Sequence, residues 1–575
     1  MDKRFFLALL LTMGVIVITP RIFPGVVPPA ERTAPLVAAL PQTTDAPATP
    51  PTGTATARSR ATGVDAAPNT PLAPAPAART VRLTNGTTDP KGRWSALATY
   101  DFSTRGAALL GADLPRYKRL DGGTGAVRLS DGGLPLVRYR LIAGGDTIRL
   151  DAMDFAAAAD TVDGRARVTF TTPVGSGSVR IIYTLSPTDY LADVDVQVTG
   201  VSTPAFLLTD LPQGFDTQES DSTEDRRHLA YAMRTPVGGA ERIDFRKPEP
   251  GERLVRSGPF TWTVAKSKYF LVGLLARDSA ASPLAELQVT GAMRVNKVAS
   301  RAQATAISPL GPDGVALELY AGPQEWERLV ALGREFEHTN PYGGWISGVV
   351  QPFATIVMRV LLWMRHNFRL EYGWILVIFG VSIRLLMWPL NSKMMRSQVT
   401  MQRVAPAVQA AQNKHKGDPE KQREAVMKVY ADAGISPFAP LAGCLPMLLP
   451  MPILFALFFV FQNTIEFRGV PFLWFPDISV ADPLYIAPFI TGGSMFLLSW
   501  IGMRNSPPNP QTKMMAYMMP IMMTVFGINF AAGLNLYWFV QNFAALPQQW
   551  LISNERGKSP APVAVIASGS ERKRR

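Results

Sequence analysis

Residues 377–390 read VIFGVSIRLLMWPL, an apolar run typical of a membrane span that nevertheless contains the permanent positive charge of Arg384. The run belongs to a candidate span at 372–390. Its length is close to the roughly 20 residues that cross about 30 Å of hydrocarbon. Of all 575 residues, 47% are hydrophobic and 18% are charged. These averages are typical of a chain that is half soluble and half embedded in a membrane.

Other apolar segments raise the predicted number of spans to six. Residues 1–23 place MDKR before FFLALLLTMGVIVIT, which predicts an uncleaved signal anchor, with a cleaved signal peptide as the alternative. The remaining candidate spans are 440–463, 484–503, 514–530 and 534–552. Residues 346–364 are excluded, because their apolar side chains share one helical stripe. The region 341–370 is therefore predicted to be an amphipathic helix that lies in the outward-facing surface of the membrane.

The charges between these segments predict the orientation of the chain. The loop 391–437 is rich in Lys and Arg, and the tail 554–575 ends in ERKRR. The loop 464–483 instead carries three acidic residues and one basic residue, Arg468. Because basic loops stay in the cytoplasm, both termini are predicted to be cytoplasmic, and the segment between the first two spans is predicted to lie outside.

That outer segment divides into a linker and a folded domain. Residues 24–79 are rich in Pro, Ala and Thr and predict an extended tether. Residues 80–340 show short alternating runs such as ARVTFTT, which predict a β-sandwich. The segment has no P-loop, HExxH or G-x-S-x-G motif, and the carboxylates of ESDSTED (219–225) favour a solvated loop over an acid/base pair. The domain is thus predicted to be a binding or spacing module, with an anchored carbohydrate enzyme as the rival.

The basic loop 391–437 has a helical pattern of its own. It predicts two helices at about Ser392–Asn413 and Pro419–Ala433, with Asp418 capping the second. A hairpin rich in Lys and Arg suits anionic lipid headgroups or ribosomal RNA phosphates. A basic face that is merely solvated explains the composition equally well.

Arg384 lies about six residues before the cytoplasmic end of its span, which leaves two interpretations open. The side chain could reach the headgroups along its apolar stem. Alternatively it faces a hydrated groove, because a charge inside a membrane otherwise costs several kcal/mol. The last span favours the groove, since Asn535, Asn542 and Gln549 recur every seven residues, with Gln541 and Gln548 on roughly the same face.

Methionine is unusually dense near these spans. Residues 514–523 read MMAYMMPIMM, and neighbouring spans add Met447 and Met451. A flexible, polarizable surface of this kind adapts to many apolar partners, although Met is also an ordinary lipid-facing residue. The predicted client-facing surface consists of Met447, Met451, Met515, Met518, Met519 and Met522.

Together with these features, three stretches resemble the YidC/Oxa/Alb family of membrane protein insertases: YGWILVIFGVSIRLLMWPL, YADAGISPFAPLAGCLPMLLPMPILFALF and GLNLYWFVQN. The resemblance implies an α-helical polytopic membrane protein with a five-helix insertase core at 371–553 and a large all-β periplasmic domain, a β-supersandwich. It further implies that Arg384 is the groove arginine. Gly380 and Trp538 stand where some members carry Thr and Tyr. The implied groove residues are Arg384, Gly380, Trp538, Tyr537, Gln541 and Asn542.

The resemblance also implies a function without enzymatic chemistry or a cofactor. Nascent membrane proteins would pass from the cytoplasm into the inner membrane through the groove, either with this chain alone or beside components of the Sec translocon. The ribosome and membrane lipids are the other expected partners. Their expected contacts are Lys414, Lys416, Arg572, Lys573, Arg574 and Arg575. A secondary transporter or channel is the alternative, although no internal repeat or paired intramembrane charge supports it.

Overall fold

The computed structural model describes most of the chain after the predicted linker. The described residues are 78–88, 92–278, 281–292, 294, 301–340, 342, 347–415, 417–432, 451–504 and 510–558. Several predictions fall outside them, namely those for the anchor 1–23, nearly all of the linker 24–79, Lys416, Met447, the side chain of Met451, and the tail residues 572–575.

The first part of the described chain consists of antiparallel sheets. One sheet has four strands in the order β1-β2-β3-β4. Its strands are β1 (Thr80–Thr88), β2 (Trp94–Ser103), β3 (Leu109–Lys118) and β4 (Ala126–Leu129). The next eight strands along the chain are β5 (Arg138–Ala143), β6 (Asp146–Ile148), β7 (Ala156–Val162), β8 (Arg165–Val174), β9 (Gly177–Leu185), β10 (Leu191–Thr199), β11 (Ala205–Asp210) and β12 (Ala230–Arg234).

The remaining strands complete two larger sheets. They are β13 (Ala240–Asp244), β14 (Arg253–Ser257), β15 (Trp262–Lys266), β16 (Phe270–Ala276), β17 (Glu286–Gly291), β18 (Ala302–Pro309) and β19 (Val315–Pro323). The nine-stranded sheet has the order β13-β12-β15-β16-β19-β10-β9-β8-β7, and the six-stranded sheet has the order β14-β17-β18-β11-β5-β6. The prediction of a sheet-rich domain is confirmed.

The alternating sequence explains how these strands build a core. In β10, which reads LADVDVQVT, Ala192, Val194 and Val196 are buried while the residues between them are more exposed. Side chains two residues apart lie on one face of a strand, so this pattern directs every second residue inward. At the centre, the ring of Phe102 lies 4.6 Å from that of Tyr183, between centroids. One continuous apolar core therefore joins the sheets.

The acidic stretch 219–225 departs from its prediction. Asp221 caps the short helix α1 (Ser222–Arg227), and its carboxylate accepts hydrogen bonds from the backbone N–H groups of Thr223 and Glu224. Glu219 and Asp225 are buried. The prediction of a solvated loop is wrong for these two residues, because each has a buried partner in a distant part of the chain.

The second part of the described chain is helical. Its helices are α2 (Trp326–Ala331), α3 (Ser347–Phe368), α4 (Tyr372–Leu386), α5 (Trp388–Lys414), α6 (Pro419–Asp432), α7 (Met451–Asn463), α8 (Ile486–Met503), α9 (Pro510–Gly527) and α10 (Ala532–Lys558). On α3, Val357 and Leu361 are buried, whereas Ile356 and Val360 of the same predicted stripe are exposed. The buried side of α3 belongs to the core that also contains residues of α4, α7 and α10.

The candidate span 372–390 is not one straight helix. The chain bends by 52° between α4 and the first part of α5. Pro389 lies in the first turn of α5. Proline has no backbone N–H and its ring clashes with the carbonyl four residues earlier, so α4 cannot continue unbroken through this position. The candidate span 372–390 therefore consists of two helices that meet at Met387.

The number of spans is not confirmed by helix length and composition. Within the described ranges, α8 is the one helix long and apolar enough to cross a membrane, and the bent pair α4 and α5 adds a second if it counts as one span. The described part of the next apolar helix, Pro452–Asn463, is shorter. The structure therefore supports a helical region in which some helices have the apolar composition of membrane spans.

Candidate functional site

Arg384 lies in the last turn of α4 and points toward α10. Its Nη2 atom donates a hydrogen bond to Oε1 of Gln548 over 2.8 Å. Its Nε atom is buried and has no hydrogen-bond partner among the described residues. One nitrogen of the guanidinium is thus held by Gln548, and a second, buried nitrogen remains able to donate to another acceptor. An arginine side chain that reaches the headgroups would have neither a fixed partner nor a buried donor.

Gln548 connects three parts of the chain at the bend. Besides accepting from Arg384, its Nε2 atom donates to the Trp388 carbonyl over 2.9 Å and to Ser392 Oγ over 2.7 Å. The residue is only 1% exposed. Buried amides must satisfy their donors and acceptors, so these bonds determine how α4, α5 and α10 meet.

Gln541 makes a second polar contact between α10 and α4. Its Nε2 atom donates to the Gly380 carbonyl over 2.8 Å and to the Tyr537 hydroxyl over 3.1 Å. Gly380 is buried, and a Cβ atom placed on it would lie 2.9 Å from Cγ1 of Val540. The absence of a side chain at 380 therefore lets α4 approach α10 closely.

The amides of α10 do not form a single strip. Asn535 donates to the Gly527 carbonyl at the end of α9 over 2.9 Å, and Asn542 donates to Ser494 Oγ on α8 over 3.1 Å. Neighbouring helical residues differ by about 100° in direction. Gln541 and Gln548 thus face α4 and α5, whereas Asn535 and Asn542 face α8 and α9. The prediction that all these amides share one groove face is wrong.

The structure brings some predicted site residues to Arg384 and separates others. Gly380, Tyr537 and Gln541 lie on the shared surface of α4 and α10, with the Tyr537 ring 6.1 Å from that of Phe379. Trp538 instead packs against Phe530, with 5.5 Å between ring centroids. Asn542 belongs to the α8 contact. The predicted groove set is therefore divided between two sides of α10.

The predicted methionine surface and the basic hairpin lie on separate helices. Met515 is exposed on α9, and Met518, Met519 and Met522 are half-buried there. Lys414 is exposed at the end of α5. Asp418 accepts a hydrogen bond from the Lys421 N–H at the start of α6, so the predicted cap is confirmed. Among the described residues, no three His, Cys, Asp or Glu side chains are grouped to hold a metal ion.

Sequence reasoning missed the junction between the sheets and the helices. Nε of Arg468, in the loop after α7, lies 2.8 Å from Oε2 of Glu219, and the two side chains are 4% and 9% exposed. Nη1 of Arg468 also donates to the Lys118 carbonyl over 2.9 Å. The Tyr269 hydroxyl donates to Ser479 Oγ over 3.1 Å. The sequence feature that could have indicated this junction is Arg468, the single basic residue in the otherwise acidic loop 464–483.

Glu466 adds a titratable group to this junction. Its Oε1 atom accepts a hydrogen bond from the Trp326 backbone N–H over 2.8 Å, while Oε2 is buried with no partner among the described residues. Burial raises the pKa of Glu466 to about 7, and the charges of Glu325 and Glu327 act in the same direction. Burial also raises the pKa of Glu219, although the charge of Arg468 opposes it.

Two family models match this chain, one over the sheet-rich region and one over the helical region. Residues 96–356 match the family model described as the YidC periplasmic domain, and residues 363–559 match that of the 60Kd inner membrane protein. A membrane protein insertase YidC of Anaeromyxobacter sp. is 31% identical over 428 residues, 72% of either chain. The chain belongs to the YidC family.

Further YidC relatives match over more of the length. The YidC insertase of Chlorobium phaeovibrioides is 29% identical over 513 residues, which is 82% of this chain and 85% of the relative. A solved structure of an active YidC insertase with its first transmembrane domain resolved shares 18% identity. The match between the two structures covers 82% of this chain and 95% of the solved chain, with a TM-score of 0.33. The Arg384 site lies wholly within the region that matches the inner membrane model of the family.

Proposed function

We propose that this chain inserts nascent membrane proteins into the bacterial inner membrane, with Arg384 at the entry site. The observation that supports this most is the partly buried guanidinium of Arg384. Gln548 accepts a hydrogen bond from its Nη2 atom, while its buried Nε donor has no partner among the described residues. Such a donor suits a carbonyl or carboxylate oxygen of a passing polypeptide. A charged side chain within an apolar segment is expected to be functional, because its burial is otherwise costly.

The proposed topology has six spans, with both termini in the cytoplasm and the sheet-rich domain in the periplasm. The distribution of Lys and Arg between the apolar segments supports this orientation. The proposal treats α4 and the start of α5 as one broken span. It places α3 in the periplasmic surface of the inner membrane. The exposed apolar side chains of α3, including Ile356 at 59% and Trp363 at 58%, favour contact with lipid.

The proposed mechanism uses hydrophobic burial as its driving force. The short polar part of a client would rest near Arg384, while its apolar helix would move along the methionine surface of α9 into lipid. Removing apolar area from water contributes about 25 cal/mol per Å². A polar site in the membrane lowers the desolvation cost for the polar part of the client. No nucleotide is needed for this step.

The test is a set of substitutions at Arg384 assayed for both insertion and protein abundance. Arg384→Lys should retain most insertion, because Lys keeps the charge and can donate to Gln548. Arg384→Ala and Arg384→Glu should impair clients that translocate an acidic segment, since attraction is lost or reversed. Arg359→Glu, on the exposed side of α3, is the control for charge reversal. Normal insertion by Arg384→Glu would overturn the proposal.

Partners on the cytoplasmic side belong to the same proposal. The exposed Lys414 at the end of α5 and the basic residues 572–575 would bind ribosomal RNA or anionic lipid. Cooperation with components of the Sec translocon is proposed from the family alone. Deleting ERKRR should weaken ribosome binding most at low salt, and unchanged binding there would remove the tail from the mechanism.

A further inference from the structure

A recess lies where the sheet-rich domain meets the helical region. Its volume is about 340 Å³, near the lower end of the 300–1,000 Å³ common for small-ligand sites. One wall comes from the domain and carries charged side chains on and near α1. The other comes from the end of α7, the loop at 479–481 and the turn at 529–531. These segments are all at the outer end of the helices in the proposed topology, on which this inference rests.

The domain wall carries two positive and two negative side chains, Arg227, Lys268, Asp221 and Glu224. Nη1 of Arg227 lies 3.1 Å from Oε2 of Glu224. Lys268 is only 6% exposed, and no carboxylate oxygen of the described residues lies within 4 Å of its ammonium group. Its Nζ atom lies 5.0 Å from the centre of the Tyr269 ring. The wall is therefore neutral in total but holds a buried cation that no carboxylate contacts directly, although the charges of Glu224 and Glu219 act on it.

The opposite wall carries two aromatic rings beside the polar side chains of Gln462, Ser479 and Asn529. Phe458 of α7 and Phe530 line the recess, and their ring centroids are 5.7 Å apart. Phe458 lies five residues before Asn463, the last residue of α7, which corresponds to about 7–8 Å along the helix. The recess thus changes from a charged wall to one of mixed polarity, in which Phe458 lies one turn deeper along α7 than Gln462 in the direction of the proposed membrane. This gradient matches a molecule with a charged head and an apolar chain.

We infer that the recess binds the headgroup of a zwitterionic phospholipid with a primary ammonium group, such as phosphatidylethanolamine. Lys268 and Arg227 are placed to bind the phosphate, and Glu224 accepts hydrogen bonds from the ammonium. A trimethylated headgroup has no N–H to donate, and a purely anionic headgroup brings no cation to Glu224, whose partner in the wall is Arg227. The acyl chain lies against Phe458. A polar client segment is the competing occupant, but it does not account for the two aromatic rings.

The test measures lipid retention by the full chain in detergent with native mass spectrometry. The protein is titrated with phosphatidylethanolamine, phosphatidylcholine and phosphatidylglycerol of identical acyl chains. Phosphatidylethanolamine should be retained preferentially, as one molecule per chain. Lys268→Met should lower that retention about fivefold, the effect of about 1 kcal/mol for one lysine at an anionic headgroup. Lys247→Met, at an exposed lysine of the same domain, should leave it unchanged.

A second variant covers the case in which Lys268→Met fails to fold. Glu224→Gln, at a partly exposed position, should abolish the preference for phosphatidylethanolamine over phosphatidylglycerol while retaining binding of both. Equal retention of the three lipids by the unaltered protein overturns the inference. So does a photocrosslinker at Gln462 that captures a stalled nascent chain instead of lipid. Arg384→Glu should retain the lipid, so failure of the insertion proposal is distinguishable from failure of this one.

Discussion

Gln548 is the residue through which Arg384 is connected to the first turn of α5. One buried amide accepts from the guanidinium and donates to both Trp388 and Ser392. Sequence periodicity predicted a polar side chain within a candidate span, but it did not distinguish Gln548 from Asn542, which bonds to α8. The distinction comes from the direction in which each residue points from α10.

Replacing Gln548 by Leu should therefore displace Arg384 and loosen the bend. Three partly buried polar groups lose their partner, and we expect a loss of about 1–2 kcal/mol of stability together with reduced insertion. Gln549→Leu is the matched control, because that side chain lies near Gly502 of α8 instead. Thermal unfolding and insertion assays measure the two effects. Equal losses in the two variants would contradict a role in positioning Arg384.

Gly380 offers a steric prediction at the same site. The Cβ of Gly380→Thr would lie 2.9 Å from Val540 Cγ1, closer than such atoms normally approach. We expect the variant to be destabilised by about 1–3 kcal/mol through overpacking. Adding Val540→Ala should restore much of the loss by making space. A double variant no more stable than Gly380→Thr alone, by thermal unfolding in detergent, would show that this contact does not limit the packing.

At the scale of elements, the loop 464–483 is attached to the sheets by a buried ion pair. Arg468 and Glu219 are separated by 249 residues in sequence. The guanidinium also lies 5.5 Å from the ring centre of Phe270. Such a pair adds little net stability compared with apolar residues, but removing one partner leaves a buried charge.

Arg468→Met should consequently be far more harmful than loss of a surface pair. We expect a loss of about 3–5 kcal/mol, seen as faster hydrogen exchange in the loop 464–483 and a lower unfolding temperature. The double variant Arg468→Met with Glu219→Gln should recover much of that loss. Arg149→Met, which breaks an exposed pair with Asp151, should cost at most about 1 kcal/mol. A double variant as unstable as the single one would refute the buried-charge explanation.

At the scale of the whole molecule, Glu466 makes the junction of the two regions sensitive to pH. Its pKa is raised from 4.5 to about 7 by burial, so the folded chain binds this proton more tightly than the unfolded chain. The associated stability is fully present below about pH 4.5 and is lost as pH rises through about 7. Glu466→Gln should remove this dependence. The measurement is hydrogen exchange at the Trp326 amide between pH 5 and pH 8, corrected for intrinsic rates, and an unchanged slope would count against Glu466.

The proposed orientation of the whole chain has a separate test. A compartment-sensitive reporter inserted near Ser220, in the sheet-rich domain, should behave as periplasmic. One inserted near Lys416, in the basic loop, should behave as cytoplasmic, because Lys and Arg are retained on that side. The control is an insertion near Gly469, in the mainly acidic loop 464–483, which should match Ser220. Reporters at Ser220 and Lys416 on the same side would exclude the six-span arrangement.

Local patterns along the chain were enough to predict the kind of elements and much of their extent, because these depend on neighbouring residues. The alternation in β10, the cap at Asp418 and the apolar length of α8 are all local signals. They predicted a sheet-rich domain followed by membrane-like helices. The same signals identified Arg384 as a charge in an apolar segment.

Tertiary structure decided which side chains meet. Arg468 pairs with Glu219, Arg384 bonds to Gln548, and the amides of α10 divide between two neighbouring surfaces. Each contact joins segments far apart in sequence, so periodicity along one helix cannot identify the partner. Burial of Glu219 likewise depends on the loop that covers it. Long-range packing therefore determined the site and the junction, because the free energy of a buried polar group depends on the partner that folding brings to it.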